Sequence, residues 1–507
     1  MRGLRPTRWL ALALGLGLAS RTAPVAAQGY RLRLDTRVQS LTVRGLTIDS
    51  VPFADVVTGP NGGYQSANGF AVTCPAAAAY CTFFRPGPDL NGAPVTGTAS
   101  ATFWGFGVPG LQFNLQARAS GDLTDRTWFG TEPAVQLLEA YAAYTRGGVT
   151  AQLGRTHDYN RLGWIGFDGA KVELRPFGRT LRVFGYGGRS LARTYDVPVT
   201  SAWLSPLGDT LPNRGQIVLA GGLGWFFPAF EGRLLYQRED RNGADATVSE
   251  RIAADWSVGV PSRQVTLSGG GDFNLATDEF GKVDLALNYL TTNQRLQFAV
   301  GGRRYRPYFD LWSIWSAFSP VAYSLGYGSA AWRAMDGVEL RGRGEVYQFD
   351  APNTSTPLVG VDDNGWRGSL SASVTRFANW SFDLGYERDI GPGASSQSLD
   401  AAATYRVNPA LLVTVDGARM VRPLEYRFDD ARLWSYGLRI DYEATQGLRL
   451  IGDARGYSED RNRPDQAALS WSQLRLNLGA SVEFGSGSDT RRLHPAILRV
   501  PEGRRPR

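Results

Sequence analysis

Few side chains in this 507-residue chain are suited to chemistry. It has two histidines, His157 and His494, and two cysteines, Cys74 and Cys81. A hydrolytic site at His157 needs a nucleophile and an orienting acid beside it. The run Arg155-Thr156-His157-Asp158-Tyr159-Asn160 does not by itself assemble that set. No histidine follows Cys81, which excludes a c-type haem attachment, and the pair lacks the companions of a zinc site. Cys74 and Cys81 are instead expected to form a local disulfide in an oxidising compartment, closing a small loop. Gly105-Phe106-Gly107-Val108-Pro109-Gly110 spells G-x-G-x-x-G. A Pro-Gly turn stands where a nucleotide site needs the start of a helix, so the segment reads as a hairpin. Asp362-Asp363-Asn364-Gly365 falls short of the ligand set of a calcium loop and reads as a solvated turn. No catalytic residue, metal or cofactor is expected.

One cluster has a different character: Arg303, Arg304, Tyr305, Arg306, Tyr308, Phe309, Asp310, Trp312, Trp315 and Phe318. Guanidinium groups interleaved with aromatic faces suit sugar-like or anionic solutes when they line an aqueous passage. Asp310 could cap a short helical turn carrying Trp312 and Trp315. The other reading packs the same aromatics against a rim.

Composition narrows what could position such a cluster. Apolar residues make up 43% and charged residues 20%, and no apolar run reaches the length of a membrane-spanning helix, so a polytopic helical protein is excluded. The 61 glycines follow no collagen period. Residues 1–27 read as a cleaved secretory signal, with Arg2, Arg5 and Arg8, an apolar stretch from Trp9 to Ala19, and Val25-Ala26-Ala27 before Gln28. The formal charge of +7 sits at the ends: four arginines in the signal, and six in the 485–507 tail against Asp489 and Glu502. The body is therefore nearly neutral, which argues against nucleic acid as a partner.

Between the ends, period-2 alternation recurs almost everywhere. Val338, Leu340, Gly342, Gly344 and Val346 oppose Glu339, Arg341, Arg343, Glu345 and Tyr347. Trp434, Tyr436, Leu438, Ile440 and Tyr442 oppose Ser435, Arg439, Asp441 and Glu443. The connections alternate in length. Tight ones fall near 108–110, 145–148, 176–179, 259–263, 291–294, 335–337, 378–380, 407–409 and 444–447. Longer ones fall at 47–96, 121–133, 157–168, 193–214, 240–248, 305–321, 350–363, 389–396, 421–430 and 457–466. Loops sorted by parity are the mark of an up-and-down meander rather than a Greek-key sandwich. The expected fold is all-β: one transmembrane antiparallel up-and-down β-barrel spanning 28–484, with about 22 strands (18 to 22) and both termini periplasmic.

The last strand sharpens this. Leu474, Leu476, Leu478, Ala480, Val482 and Phe484 form an apolar face. Asn477, Gly479, Val482 and Phe484 resemble the C-terminal assembly signal of bacterial outer-membrane barrels, although 485–507 continues past it. Leu137-Leu138-Glu139-Ala140-Tyr141, Leu153-Gly154-Arg155 and Gly166-Phe167-Asp168-Gly169-Ala170 resemble a pattern of the alginate-export porins over about 40 residues. Those porins have 18 strands, so the resemblance implies a porin-like channel rather than alginate itself. The expected activity is passive diffusion of small hydrophilic solutes, anionic or sugar-like, past lumen charges such as Arg341, Arg343, Glu345, Arg439, Asp441, Arg449, Asp453 and Arg455. Expected partners are outer-membrane lipid and lipopolysaccharide, the barrel assembly machinery, and a homo-oligomer or lumen-bound protein. A barrel that sheathes a partner protein, as in secretion or electron conduction, is the alternative.

Overall fold

The computed structural model describes residues 29–58, 64–67, 70, 72–75, 79–124, 134–178, 180–192, 216–241, 247–259, 264–306, 322–350, 364–391, 394–425, 428–461 and 471–486. Residues 1–28, which include the expected signal 1–27, and residues 487–507 lie outside them. The first strands are β1 (Gly29–Pro52), β2 (Tyr80–Gly92 continuing as Pro94–Trp104), β3 (Leu111–Asp122), β4 (Val135–Arg146), β5 (Val149–Asn160), β6 (Gly163–Leu174) and β7 (Leu181–Ala192). There follow β8 (Gln216–Phe226), β9 (Phe230–Arg241), β10 (Thr247–Gly259), β11 (Val265–Asn274), β12 (Glu279–Leu290), β13 (Leu296–Tyr305) and β14 (Tyr323–Met335). The last are β15 (Val338–Phe349), β16 (Asn364–Val374), β17 (Trp380–Gly391), β18 (Ala394–Asn408), β19 (Leu411–Glu425), β20 (Phe428–Thr445), β21 (Leu448–Arg461) and β22 (Trp471–Ser486).

Each strand pairs antiparallel with the next, and β1 closes the ring on β22 from Tyr30↔Ser486 to Ser40↔Leu476. The result is a closed barrel of 22 strands. Closure leaves no unpaired sheet edge, a condition that hydrocarbon imposes on any spanning sheet. Strands about 4.8 Å apart and tilted about 40° place opposite walls roughly 40–45 Å apart. The alternation decides which side chains face out. Leu370, Val415 and Leu478 stand 64%, 56% and 68% exposed on the outer surface, where a lipid phase would cover them. The only helical element among the described residues is the short 3-10 turn Phe53–Asp55.

Several connections differ from the sequence reading. Turns at 227–229 and 275–278 complete the alternation of short and long ends. The connection 47–96 shrinks because β1 runs to Pro52 and β2 begins at Tyr80. From Leu41 on, β1 leaves β22 and continues with β2 as an arm, from Leu41↔Gly92 to Pro52↔Tyr80, and the short segment Val72–Thr73 pairs with Phe83 and Thr82 on its other side. The Cys74–Cys81 disulfide ties a loop to this arm, and Phe70 stacks on Phe83 at 5.6 Å. The proposed long loops at 389–396 and 421–430 are largely strand, since β17 reaches Gly391 and β19 reaches Glu425. The largest correction concerns 157–168, which is two strands joined by a turn at Arg161-Leu162. Alternation continues through that segment, and the pairing follows it.

Candidate functional site

The β5–β6 hairpin does not continue up the barrel wall. In its ladder Lys171 pairs with Gln152, while Asp158 pairs with Ile165. Six residues of straight strand would separate the two by roughly 20 Å. Lys171 Nζ nevertheless donates to Asp158 Oδ1 at 2.6 Å, so the hairpin folds back on itself between them. The bend falls at the facing glycines Gly154 and Gly169. Gly154 has φ +127, which disfavours a side chain, and a Cβ on Gly169 would meet the Gly187 carbonyl oxygen at 2.0 Å. Beside the bend, Arg155 grips Asp168 with two hydrogen bonds, 2.7 and 2.8 Å, and donates to the Leu137 carbonyl at 2.8 Å.

The folded segment lies in the lumen. Its turn reaches β10, β11 and β12, four to six strands farther round the wall. Arg161 donates to Asp255 at 2.6 Å and to Asp284, and its Nε lies 3.8 Å from Asp272. The Arg161 side chain is only 7% exposed. A Cβ on Gly270 would lie 2.5 Å from the guanidinium, so glycine there leaves room for it. Arg251 donates to the Leu162 carbonyl at 3.3 Å.

The underside of the hairpin is packed. Ile165 and Phe167 are buried with Tyr186 and Val218, and Phe167 stacks on Tyr186 at 5.1 Å. Leu162 packs on Phe184, Leu235 and Ala253. Burying each large apolar side chain contributes roughly 1.5–3 kcal/mol, enough to seat a hairpin that would otherwise stand in water. Polar groups beneath it are linked in a chain. Asn160 donates to Asp158 at 2.9 Å and to the Tyr186 hydroxyl at 3.1 Å; Tyr186 donates to Gln237 at 2.7 Å, and Gln237 to Glu239 at 3.1 Å. The upper face holds Arg155, His157, Tyr159 and Trp164. Tyr159 is 76% exposed. His157 Nδ1 lies 2.8 Å from Glu139, and its ring lies 5.8 Å from that of Trp164.

The far wall is different. Arg341 pairs with Glu339 at 2.5 Å and Arg343 with Glu345 at 2.6 Å, each two residues along one strand. Asp441 accepts from Arg439 at 2.7 Å and from Arg449 at 2.5 Å, and Arg455 donates to Asp416 at 2.9 Å. The sequence reading places these residues on the lumen face. Arg161 and its three aspartates carry no local signal, since Asp255, Asp272 and Asp284 lie about 100 residues away along the chain.

The aromatic-arginine cluster divides. Tyr308, Phe309, Asp310, Trp312, Trp315 and Phe318 lie outside the described residues. Arg303, Arg304 and Tyr305 are not in a loop but end β13, so they alternate between faces. Arg303 approaches the Tyr323 hydroxyl at 3.5 Å, and Tyr305 meets the Tyr323 ring at 5.7 Å. Arg304 points to the outside, in register with Val283, and pairs with Asp350 at 2.6 Å; that corrects its place in the pore set. Arg306 pairs with Glu279 at 2.8 Å. In the closing strand, Asn477 faces the lumen between Arg37 and Asp453, at 3.0 and 2.8 Å. Gly479, Val482 and Phe484 pair with Arg37, Leu34 and Leu32 of β1.

No family model matches the chain, and no curated protein matches it. Among solved structures, it is similar to OccAB1 of Acinetobacter baumannii at 10% identity, over 92% of this chain and 99% of that one, with a TM-score of 0.40. A BenF-like porin from Pseudomonas fluorescens Pf-5 has 10% identity over 90% and 99%, with a TM-score of 0.39. OccD3 (OpdP) of Pseudomonas aeruginosa has 12% identity over 91% and 93%, with a TM-score of 0.37. The chain's own geometry carries the functional reading.

Proposed function

We propose that this chain is an outer-membrane channel for passive diffusion of small hydrophilic solutes, with its bore narrowed by the tucked β5–β6 hairpin. The observation that supports this most is the division of the lumen. One side is occupied by the seated hairpin, and the other carries exposed ion-paired arginines that favour water and polar solutes. A barrel of this size encloses a wide lumen, and the hairpin covers one sector of it. Arg341 and Arg439 on one side and Tyr159 on the other suit solutes that bear carboxylates or hydroxyls. Of the segments that resemble alginate-export porins, 137–141, 153–155 and 166–170, the last two hold Gly154, Arg155, Phe167, Asp168 and Gly169, which bend and seat the hairpin here. Those residues have a structural role in this barrel, and alginate is no part of the reading. Export by the 1–27 leader and assembly through Asn477, Gly479, Val482 and Phe484 belong to the same proposal.

Planar-bilayer recording of the purified chain tests this. Discrete open steps in salt are expected. A silent barrel that co-purifies with a second protein would instead favour a sheath around a partner.

A further inference from the structure

The outer surface carries a charged feature that solute passage does not require. In β7, β9, β13, β17 and β19 the ninth residue is arginine: Arg189, Arg238, Arg304, Arg388 and Arg419. All five strands run from the short-turn end toward the long-loop end, and their odd positions face outward. The five arginines therefore stand at one height, roughly 20 Å above the turns and just below the upper limit of an apolar band about 25 Å tall, from where a long side chain reaches the headgroups.

The arrangement repeats in pairs. Arg189 lies opposite Ile217 of β8, and Arg238 opposite Leu219, so the two arginines bracket one strand. Arg388 lies opposite Gln397 of β18, and Arg419 opposite Leu399, in the same offset. Strand spacing separates the members of each pair by roughly 10–12 Å. Arg238 and Arg304 are partly neutralised, by Asp240 at 2.9 Å and Asp350 at 2.6 Å. Among the described residues, Arg388 and Arg419 have no carboxylate partner. They lie instead over aromatic rings, Arg388 at 5.9 Å from Trp366 and Arg419 at 5.4 Å from Trp434. Arg432, two residues beyond Trp434, is exposed and in register with Asp460.

We propose that Arg388 and Arg419, with Trp366 and Trp434, form a clamp for the phosphate groups of a phosphorylated glycolipid in the outer leaflet. Acyl chains would lie on Leu399, Leu384 and Tyr436 below, and the guanidinium groups would take the phosphate oxygens. The indole rings suit the boundary between these layers, having an apolar body and one polar N–H. This inference rests on the outer-membrane reading above.

The test uses the purified full chain in detergent, with diphosphoryl lipid A and its dephosphorylated form as probes and native mass spectrometry as the readout. The wild type should retain the diphosphoryl lipid and not the dephosphorylated one, and millimolar inorganic phosphate should fail to displace it. The Arg388→Gln/Arg419→Gln double variant should lose occupancy at least fivefold, with Lys at both positions restoring part of it. Arg333→Gln, on the lumen face of β14, should leave occupancy unchanged. Heat-modifiable mobility reports folding; if the double variant fails to fold, each single variant should lose occupancy at least twofold. Unchanged occupancy in a folded variant, equal retention of both lipids, or displacement by free phosphate would each overturn the clamp. A wild type that fractionates away from the outer membrane would instead overturn the reading beneath it.

Discussion

Lys171 and Arg341 both project from lumen faces, but into different surroundings. Lys171 ends against Asp158 of the tucked hairpin, with 19% and 5% of the two side chains exposed. Arg341 pairs with Glu339 along its own strand, at 67% and 30%. Around Lys171, from β5 to β12, lumen-facing positions include Phe167, Phe184, Val218, Leu235 and Ala253, which form a core inside the barrel. Around Arg341, from β15 to β22, ion pairs are local: carboxylates such as Glu345 and Asp441 are largely covered, while Arg341, Arg343 and Arg439 stay about half exposed or more. The same pleat thus builds two kinds of wall: one holds a structural element in place, and the other faces the passage. Charge changes should act on the first through the position of the hairpin, and on the second through the field felt by a permeating ion.

Phe167→Ala is the strongest way to break that contrast short of removing the turn contacts. Truncating a fully buried phenylalanine costs about 3–5 kcal/mol. Here the loss should fall on the seating of the hairpin, because the surrounding ladder is intact. Amide exchange across 155–168 should accelerate while β15–β22 stays protected; uniform acceleration would show that Phe167 supports the whole barrel.

A smaller effect is expected from Asp441→Asn. The carboxylate accepts from both Arg439 and Arg449, so its neutralisation leaves two guanidinium groups facing water. Reversal potentials should shift toward anions by about twofold in permeability ratio, with conductance nearly constant. A large conductance change would mean that this wall is also packed.

The Cys74→Ser/Cys81→Ser double variant should have the smallest effect on the channel. The bond closes a short loop on the β1–β2 arm, and β2 is three strands from β5 in the ring. Protease sensitivity of 53–79 should rise, while conductance stays within about 20%, since short-loop closure acts locally on chain entropy.

The two walls were not equally legible in the sequence. Alternation and loop parity suffice for the barrel, because a closed meander needs nothing beyond nearest-neighbour pairing. Arg341, Arg343, Glu345, Arg439 and Asp441 could be placed from strand phase alone, as their partners lie on the same or an adjoining strand. The hairpin could not, since residues 155–168 alternate equally well whether upright or folded inward. What distinguishes the two is a pair of facing glycines and apolar residues in lumen phase: Ile165 and Phe167 lie on the face that carries Lys171. Those residues are readable in hindsight as a core without a visible partner. The Arg161 contacts join positions separated by 94 and 123 residues, and no local pattern encodes them.

Single-channel conductance of Arg161→Ala against the wild type tests the central claim most directly. The substitution removes the one guanidinium that joins Asp255, Asp272 and Asp284 to the hairpin turn, leaving Lys282 beside Asp284 but no ion pair from these aspartates to hold the tip. With the tip released, a heat-modifiable barrel should conduct at least about twice as much current and admit larger polymers, because the hairpin no longer narrows the bore. Unchanged conductance and polymer cut-off in a barrel that still folds would contradict the account, since the hairpin would then not set the passage.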